Sequence, residues 1–262
     1  MIKNITSSKV AIIALVSGLT ACGEISSQSS NDEAPAASSQ SSKPDFSQIT
    51  DVNQKKAAFF DFLRPAVEHE NQRIEKERQF LENIKSSRSA GKSLSSDQLT
   101  YADKLADKYK VVLNDQGVTA EWLTTILNRV DVLPESLVLS QAANESGWGT
   151  SRFAVEGNNY FGQWCYRKGC GLVPNARNDG ANHEVAVFDS PYLSVQAYFM
   201  NVNTNHAYQD LRDIRAAQRM SGEIIEGAKL AEGLSRYSER GQAYVDEIQA
   251  MIRHNNQYWR QG

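Results

Sequence analysis

Hydrophobic residues recur every three to four positions through most of residues 53–256, which is the spacing of amphipathic helices. The pattern predicts helices at 53–86, 96–112, 119–129, 134–146, 190–204, 207–220, 222–231 and 240–256. Pro65 predicts a break or kink inside the first of these, because proline removes a backbone donor and clashes with the preceding turn. The chain is therefore expected to be mainly helical.

Residues 157–189 depart from this helical pattern. They concentrate Gly, Asn, Pro and Asp, interrupted by short apolar groups at 160–161, 172–173 and 185–188. Such composition is typical of short strands joined by turns. We expect a small β-hairpin lobe inserted into a helical domain, which makes the fold class mainly α (α+β).

The N-terminus has the organisation of an export signal. Two lysines precede an apolar stretch at 10–19, which is too short for a bilayer, since a spanning helix takes about 20 residues. The stretch ends in the letters LTAC, which resemble the cleavage site of bacterial lipoproteins. We expect residues 1–21 to be a lipoprotein signal peptide and Cys22 to carry the lipid that attaches the protein to a membrane.

Residues 22–50 are rich in serine and poor in large apolar side chains, which predicts a flexible tether after the lipidated cysteine. Gly23, rather than an aspartate, follows that cysteine. In lipoproteins of Gram-negative bacteria this favours the outer membrane. The predicted location is therefore the cell envelope, with the domain facing the periplasm.

Composition narrows the functional classes. The 262 residues carry a net charge of −3, and the totals supply no cluster of Lys and Arg for phosphate contacts, so nucleic-acid binding is not expected. Cys165 and Cys170 enclose a short loop containing Gly169, which predicts a disulfide in an exported protein. No metal motif is visible, and we expect a monomer without a cofactor.

Glu145 is the main candidate for chemistry. It ends the apolar helix predicted at 134–146 and shares a face with Gln141 and Ala142. Desolvation and the negative end of the helix dipole both favour a protonated carboxyl group, as a general acid requires. From spacing alone, a solvated glutamate at a helix end is the simpler interpretation.

A family resemblance changes that interpretation. The run AANESGWGTSRFAVEGNNYFGQW at 142–164 resembles the core motif of glucosaminidase domains, glycoside hydrolase family 73, in the lysozyme-like superfamily. Stretches at 188–212 and 233–252 resemble later helices of the family, and 55–81 resembles the N-terminal part of its bacterial Bax-like subgroup. The resemblance implies a lysozyme-like catalytic domain at 131–256 and an added N-terminal helical region at 51–130.

The same resemblance implies catalytic residues. The glutamate of the ESGWG-like element is the family's catalytic acid and corresponds to Glu145. A second carboxylate often lies on the β-lobe; Glu184 is the best candidate here, with Asp179 and Asp189 behind it. Alternatively, the 2-acetamido oxygen of the substrate attacks the anomeric carbon, and no protein nucleophile is needed.

Three further residues match family positions near the cleft and are expected to bind substrate: Tyr160, Trp164 and Tyr237. Asn158, in the NNYFG element, is a fourth candidate for substrate binding. Aromatic rings stack on the apolar faces of sugars, whereas an asparagine either contacts the sugar through its amide or shapes the turn. For Asn158 both roles remain open.

The function implied is hydrolysis of the β-1,4 glycan strand of peptidoglycan after N-acetylglucosamine. The lysozyme-like fold also hosts muramidases and lytic transglycosylases, which remain alternatives. The NNYFG element at 158–162, in place of the GLMQ-like element of transglycosylases, favours the glucosaminidase. A lipoprotein that binds peptidoglycan strands without cleaving them is the alternative from another class.

Overall fold

The computed structural model describes residues 43–175 and 183–259, and the predicted signal peptide, Cys22 and Asp179 lie outside them. The described chain is mainly helical with one small sheet, which confirms the predicted fold class. Its α-helices are α1 (Val52–Ser89), α2 (Ser96–Tyr109), α3 (Ala120–Arg129), α4 (Glu135–Ser146), α5 (Arg152–Gly157), α6 (Pro191–Thr204), α7 (Gln209–Ser221), α8 (Gly227–Leu230) and α9 (Gln242–His254).

Within these two ranges, no helix combines the length and the apolar character that crossing a membrane would require.

Helix α1 runs without interruption through Pro65, so of the predicted break or kink the break is wrong, and the kink stays a prediction. Phe59, Phe60 and Leu63 are buried before the proline, and Val67 is buried after it. This face packs against α3, α4 and α6. Burial on both sides of the proline outweighs the cost of a proline inside a helix, about 3 kcal/mol.

Two other helical predictions need correction. The helix predicted at 222–231 is shorter, because Gly222 ends α7 with a left-handed φ of 72° and α8 begins only at Gly227. A 3-10 turn at Ala231–Leu234 continues it. The six-residue helix α5 was not predicted, because so short a helix shows no clear periodicity.

Helix α4 lies in the centre of the domain, in contact with α1, α8 and α9. Its apolar residues are fully buried, among them Leu137, Val138, Leu139, Ala142 and Ala143. Because burial surrounds most of this helix, its last turn is held in a fixed position relative to three other helices.

The predicted hairpin lobe contains three short antiparallel strands: β1 (Trp164–Cys165), β2 (Gly171–Leu172) and β3 (Glu184–Ala186). The central strand is β3, which pairs with β1 on one side and β2 on the other. Tyr160 and Phe161 precede the sheet and are not a strand, since both side chains enter the hydrophobic core.

The residues before α1 belong to the folded domain. Phe46 is 2% exposed, and its ring packs against Phe59 and Phe62. Lys43 donates hydrogen bonds from Nζ to the carbonyl oxygens of Ala154 and Val155. The tether predicted to extend to residue 50 is therefore too long, because residues 43–50 pack onto the domain.

Candidate active site

Glu145 lies in the last turn of α4, where the chain reverses sharply. Three consecutive residues, Gly147, Trp148 and Gly149, adopt left-handed φ values of 57°, 58° and 77°. The Ser146 hydroxyl accepts a hydrogen bond from the Gly149 N–H and fixes this turn. The turn ends the helix immediately after Glu145 and leaves its carboxyl group at the edge of the core.

The Glu145 side chain is half-buried, and this burial raises the pKa of its carboxyl group. Hydrogen bonds from Tyr244 and Tyr237 act in the opposite direction, since they stabilise the anion. The charge of Glu247 raises the pKa further, and that of Arg240 lowers it. The net shift is upward, so Glu145 keeps its proton to a higher pH than a solvated glutamate.

A chain of hydrogen bonds orients Glu145. The Tyr244 hydroxyl donates to Oε1 of Glu145 at 2.9 Å and accepts a hydrogen bond from Nε2 of Gln141 at 3.0 Å. Oε1 of Gln141 in turn accepts a hydrogen bond from the Tyr198 hydroxyl. Gln141, Tyr198 and Tyr244 are buried, so each link is shielded from water.

Tyr237 completes the surroundings of the carboxyl group. Its ring centroid lies 5.1 Å from that of Tyr244 and 5.6 Å from that of Tyr208. Burial and the nearby Glu145 charge raise the pKa of the Tyr237 phenol, which therefore stays protonated and can donate. The three tyrosines form one wall beside Glu145.

Glu145 lines a cleft of about 790 Å³. This volume suits a small ligand or a segment of a polymer. The aromatic residues of its lining are Phe161, Trp164, Tyr166, Tyr198, Tyr208 and Tyr237. Among the described residues of the lining, Glu145 is the acidic side chain and Lys110 the basic one.

Two of the four predicted binding residues line this cleft, Trp164 and Tyr237. The Trp164 side chain is 56% exposed, and its ring stacks on His183 with centroids 4.3 Å apart. One face of the indole is therefore supported by the protein, as expected for a residue that stacks on a ligand.

Tyr160 does not line the cleft, so its predicted contact with substrate is wrong. The side chain is 0% exposed and packs against Phe59 and Phe62 of α1. Its position in the NNYFG element does not bring it to the surface, because the turn directs the ring into the core.

Asn158 and Asn159 shape that turn. Asn158 ends α5 with a left-handed φ of 49°, and its amide donates to the carbonyl of Phe188. The buried Asn159 donates to the carbonyls of Gln163 and Ala186 and accepts from two backbone N–H groups. Two roles were considered for Asn158, contact with the sugar and shaping of the turn. The structure shows the second, and Asn158 does not line the cleft.

Cys165 and Cys170 form the predicted disulfide, with Cα atoms 6.2 Å apart. Glu184 holds the loop that this bond closes, since its two carboxylate oxygens accept the backbone N–H groups of Gly169 and Gly171 at 2.9 Å. Glu184 is 4% exposed and does not line the cleft. These contacts explain how Glu184 holds the loop in place. A catalytic role for Glu184 stays a prediction without structural support.

Asp189 was a further candidate for the second carboxylate, and it lies within the described ranges. Its side chain is exposed and does not line the cleft. A possible metal-binding group of described residues consists of Cys165, Cys170 and Glu184. Because the two sulfur atoms are joined in a disulfide, they are not thiolate ligands for a metal in this state.

Several residues of the site were not predicted. Gln141 lies four residues before Glu145 on the same helix, and this spacing was the available signal. Tyr244 matches a tyrosine position in the stretch at 233–252 that resembles the family, but that match gave no role for it, and Lys110 comes from the end of α2. Only the packing of the helices brings Tyr244 to Glu145 and Lys110 to the cleft.

Comparisons with known proteins show the family of this chain. The profile of the Glucosaminidase family, described as mannosyl-glycoprotein endo-beta-N-acetylglucosaminidase, matches residues 120–257. Protein bax of Escherichia coli (strain K12) is 33% identical over 215 residues, which are 82% of this chain and 75% of that protein. No solved structure gave a significant match. The chain therefore belongs to the glucosaminidase family, and over most of its length it is similar to Protein bax of Escherichia coli.

Proposed function

We propose that this protein is a glycoside hydrolase that cleaves the glycan strand of peptidoglycan after N-acetylglucosamine, with Glu145 as the general acid. The observation that carries the proposal is the state of Glu145: a half-buried carboxyl group with a raised pKa, oriented by Tyr244, at the wall of an aromatic cleft. A carboxyl group that keeps its proton in this way can deliver it to a glycosidic oxygen.

The reaction begins with transfer of the Glu145 proton to the oxygen of the scissile bond. The bond from the anomeric carbon to that oxygen breaks, and positive charge develops on the sugar ring. Tyr244 then stabilises the carboxylate that forms, because its phenol donates a hydrogen bond to Oε1 of Glu145. The Tyr237 hydroxyl, which donates to the carbonyl of Phe161 at 3.5 Å, lies beside it.

The nucleophile in this proposal is the 2-acetamido oxygen of the substrate. It attacks the anomeric carbon as the leaving group departs, and water later opens the cyclic intermediate while Glu145 takes up the proton from that water. Glu184 is left out of these steps because both of its oxygens are engaged with the disulfide loop. Stacking on Trp164 holds the sugar in the cleft.

We also propose that Cys22 is lipidated and keeps the domain at the outer membrane, facing the periplasm. The support is the sequence of residues 1–22 with its short apolar stretch and terminal cysteine. In cell fractionation, Cys22→Ala should move the protein from the membrane fraction to the soluble fraction. Equal membrane association of the variant would reject the lipid.

Product analysis tests the reaction. Full-length protein in detergent is incubated with purified sacculi, and the released fragments are reduced and identified by mass spectrometry. The proposal predicts reducing ends on N-acetylglucosamine. Reducing or 1,6-anhydro ends on muramic acid would instead identify a muramidase or a lytic transglycosylase, and binding without any product would identify a non-catalytic protein.

A further inference from the structure

Lys110 is the basic residue in the described lining of the cleft, and it comes from outside the matched family region at 120–257. Its side chain is exposed, and no carboxylate of the described residues forms an ion pair with it. Among the described residues, the cleft lining thus has one acidic and one basic side chain, and the basic one forms no ion pair with them.

The backbone of Lys110 is held in a left-handed conformation with φ 58° and ψ 37° at the end of α2. Glycine or asparagine usually occupies such a position, because other side chains are strained there. Arg129 fixes the conformation by donating from Nη1 to the carbonyls of Tyr109 and Lys110. A lysine at a strained position suggests a role that neither glycine nor asparagine would fulfil.

Lys110 and Glu145 reach the lining of the same cleft from distant parts of the chain. Helix α2, which ends just before Lys110, packs against α6. Asn205, the residue that follows α6, also lines the cleft.

Tyr198, in the middle of α6, is hydrogen-bonded to Gln141 of α4. The cleft residues Tyr198, Asn201 and Asn205 follow one another at helical spacing along α6. Seven helical residues rise about 10 Å, so this wall of the cleft is longer than one sugar ring.

We propose that Lys110 is a specificity-determining residue that binds a carboxylate carried by the glycan strand, such as one of a peptide stem. This inference rests on the proposed function. Lys110 is the basic side chain in the described lining, so it is the group there that favours an anionic strand over a neutral one. Arg167 and Lys168 lie on the disulfide loop and do not line the cleft.

The test compares two substrates and four proteins. The substrates are untreated sacculi and sacculi whose carboxylates have been converted to amides with carbodiimide and ethanolamine. The proteins are the full-length wild type, Lys110→Asn, Lys110→Arg and the control Lys104→Gln, which removes a charge from an exposed position of α2. Asparagine tolerates the left-handed backbone, so the main variant is expected to fold.

We expect Lys110→Asn to raise KM for untreated sacculi about threefold, the effect of one exposed charge pair, with kcat unchanged. Lys110→Arg and Lys104→Gln should behave as the wild type, and all four proteins should have equal KM on amidated sacculi. Added salt should raise the wild-type KM toward that of Lys110→Asn. Equal KM of Lys110→Asn and wild type on untreated sacculi, or an equal rise on both substrates, would overturn the proposal.

Absence of turnover by the wild type on either substrate would reject the proposed function and not Lys110 itself. The role of Lys110 is then decided by sedimentation of the same proteins with the two kinds of sacculi. Binding of Lys110→Asn about threefold weaker than wild type to untreated sacculi only would support it, and equal binding would reject it.

Discussion

The phenol of Tyr244 donates a hydrogen bond to the Glu145 carboxyl group at 2.9 Å, although the two residues are 99 positions apart in the chain. Tyr244 is itself fixed by Gln141, which lies one turn before Glu145 on α4. One helix therefore supplies both the acid and the residue that positions its hydrogen-bond partner. This relationship ties the protonation of Glu145 to the packing of α9 against α4.

Replacing Tyr244 by phenylalanine should change the pH profile as well as the rate. The Tyr244 hydrogen bond lowers the pKa of Glu145, so its loss raises that pKa further. A general acid is active when protonated, and the alkaline fall in activity therefore moves to higher pH. The turnover number should fall about fivefold, the worth of one hydrogen bond.

The pH dependence of kcat measures both effects in Tyr244→Phe. Tyr258→Phe is the control, since it removes a phenol that bonds to Asn53 outside the cleft. An unchanged profile in Tyr244→Phe would show that this hydrogen bond does not act on the group that titrates.

Glu247 and Arg240 form an ion pair near Glu145 and should shift its pKa in opposite directions. Glu247→Gln removes a charge that raises the Glu145 pKa, so the alkaline fall should move to lower pH. Arg240→Gln removes a charge that lowers it, so the fall should move to higher pH. Shifts of the two profiles in the same direction would contradict the assignment of the titrating group to Glu145. High salt should reduce both shifts, because Glu247 and Arg240 are partly exposed.

Phe46→Ala should destabilise the domain, because the ring is buried against α1 and the glycine turn after Glu145. The free energy of unfolding should fall by about 3–5 kcal/mol, as for other buried phenylalanines. Urea denaturation measures this, and Val52→Ala at a 64% exposed position is the control. A change below about 0.5 kcal/mol would mean that residues 43–50 do not belong to the fold.

Glu184→Gln separates a structural role from a catalytic one. Loss of the charged acceptor for the N–H groups of Gly169 and Gly171 should lower the free energy of unfolding by about 1–3 kcal/mol. The turnover number on sacculi should fall by less than about tenfold, because the proposed reaction does not use this carboxylate. A loss near that of a general acid or base, about 100-fold or more, would restore Glu184 as the second catalytic carboxylate.

Local patterns were enough to predict most helices and the placement of Glu145. Helix α4 and the glycine turn after it lie within 15 consecutive residues, and helical spacing is a property of neighbours in sequence. The disulfide was predictable for the same reason, since Cys165 and Cys170 are five residues apart.

The predictions that failed depended on distant contacts. Tyr160 lies in the family motif, but the side to which its ring turns depends on α1, about 100 residues earlier in the chain. Pro65 was expected to break or kink its helix, but packing against neighbouring helices keeps α1 continuous. Phe46 lies at the end of a serine-rich stretch, and nothing local indicates that it is buried.

The central claim is that Glu145 is the acid of a glycan-cleaving reaction, and its most direct test is the rate at which Glu145→Gln releases reducing ends from sacculi. The variant keeps the shape of the side chain and loses the titrating proton, and Glu121→Gln at an exposed position of α3 is the control. We predict a fall in kcat of about 100-fold or more for Glu145→Gln and wild-type activity for the control. Wild-type activity of Glu145→Gln would contradict the account.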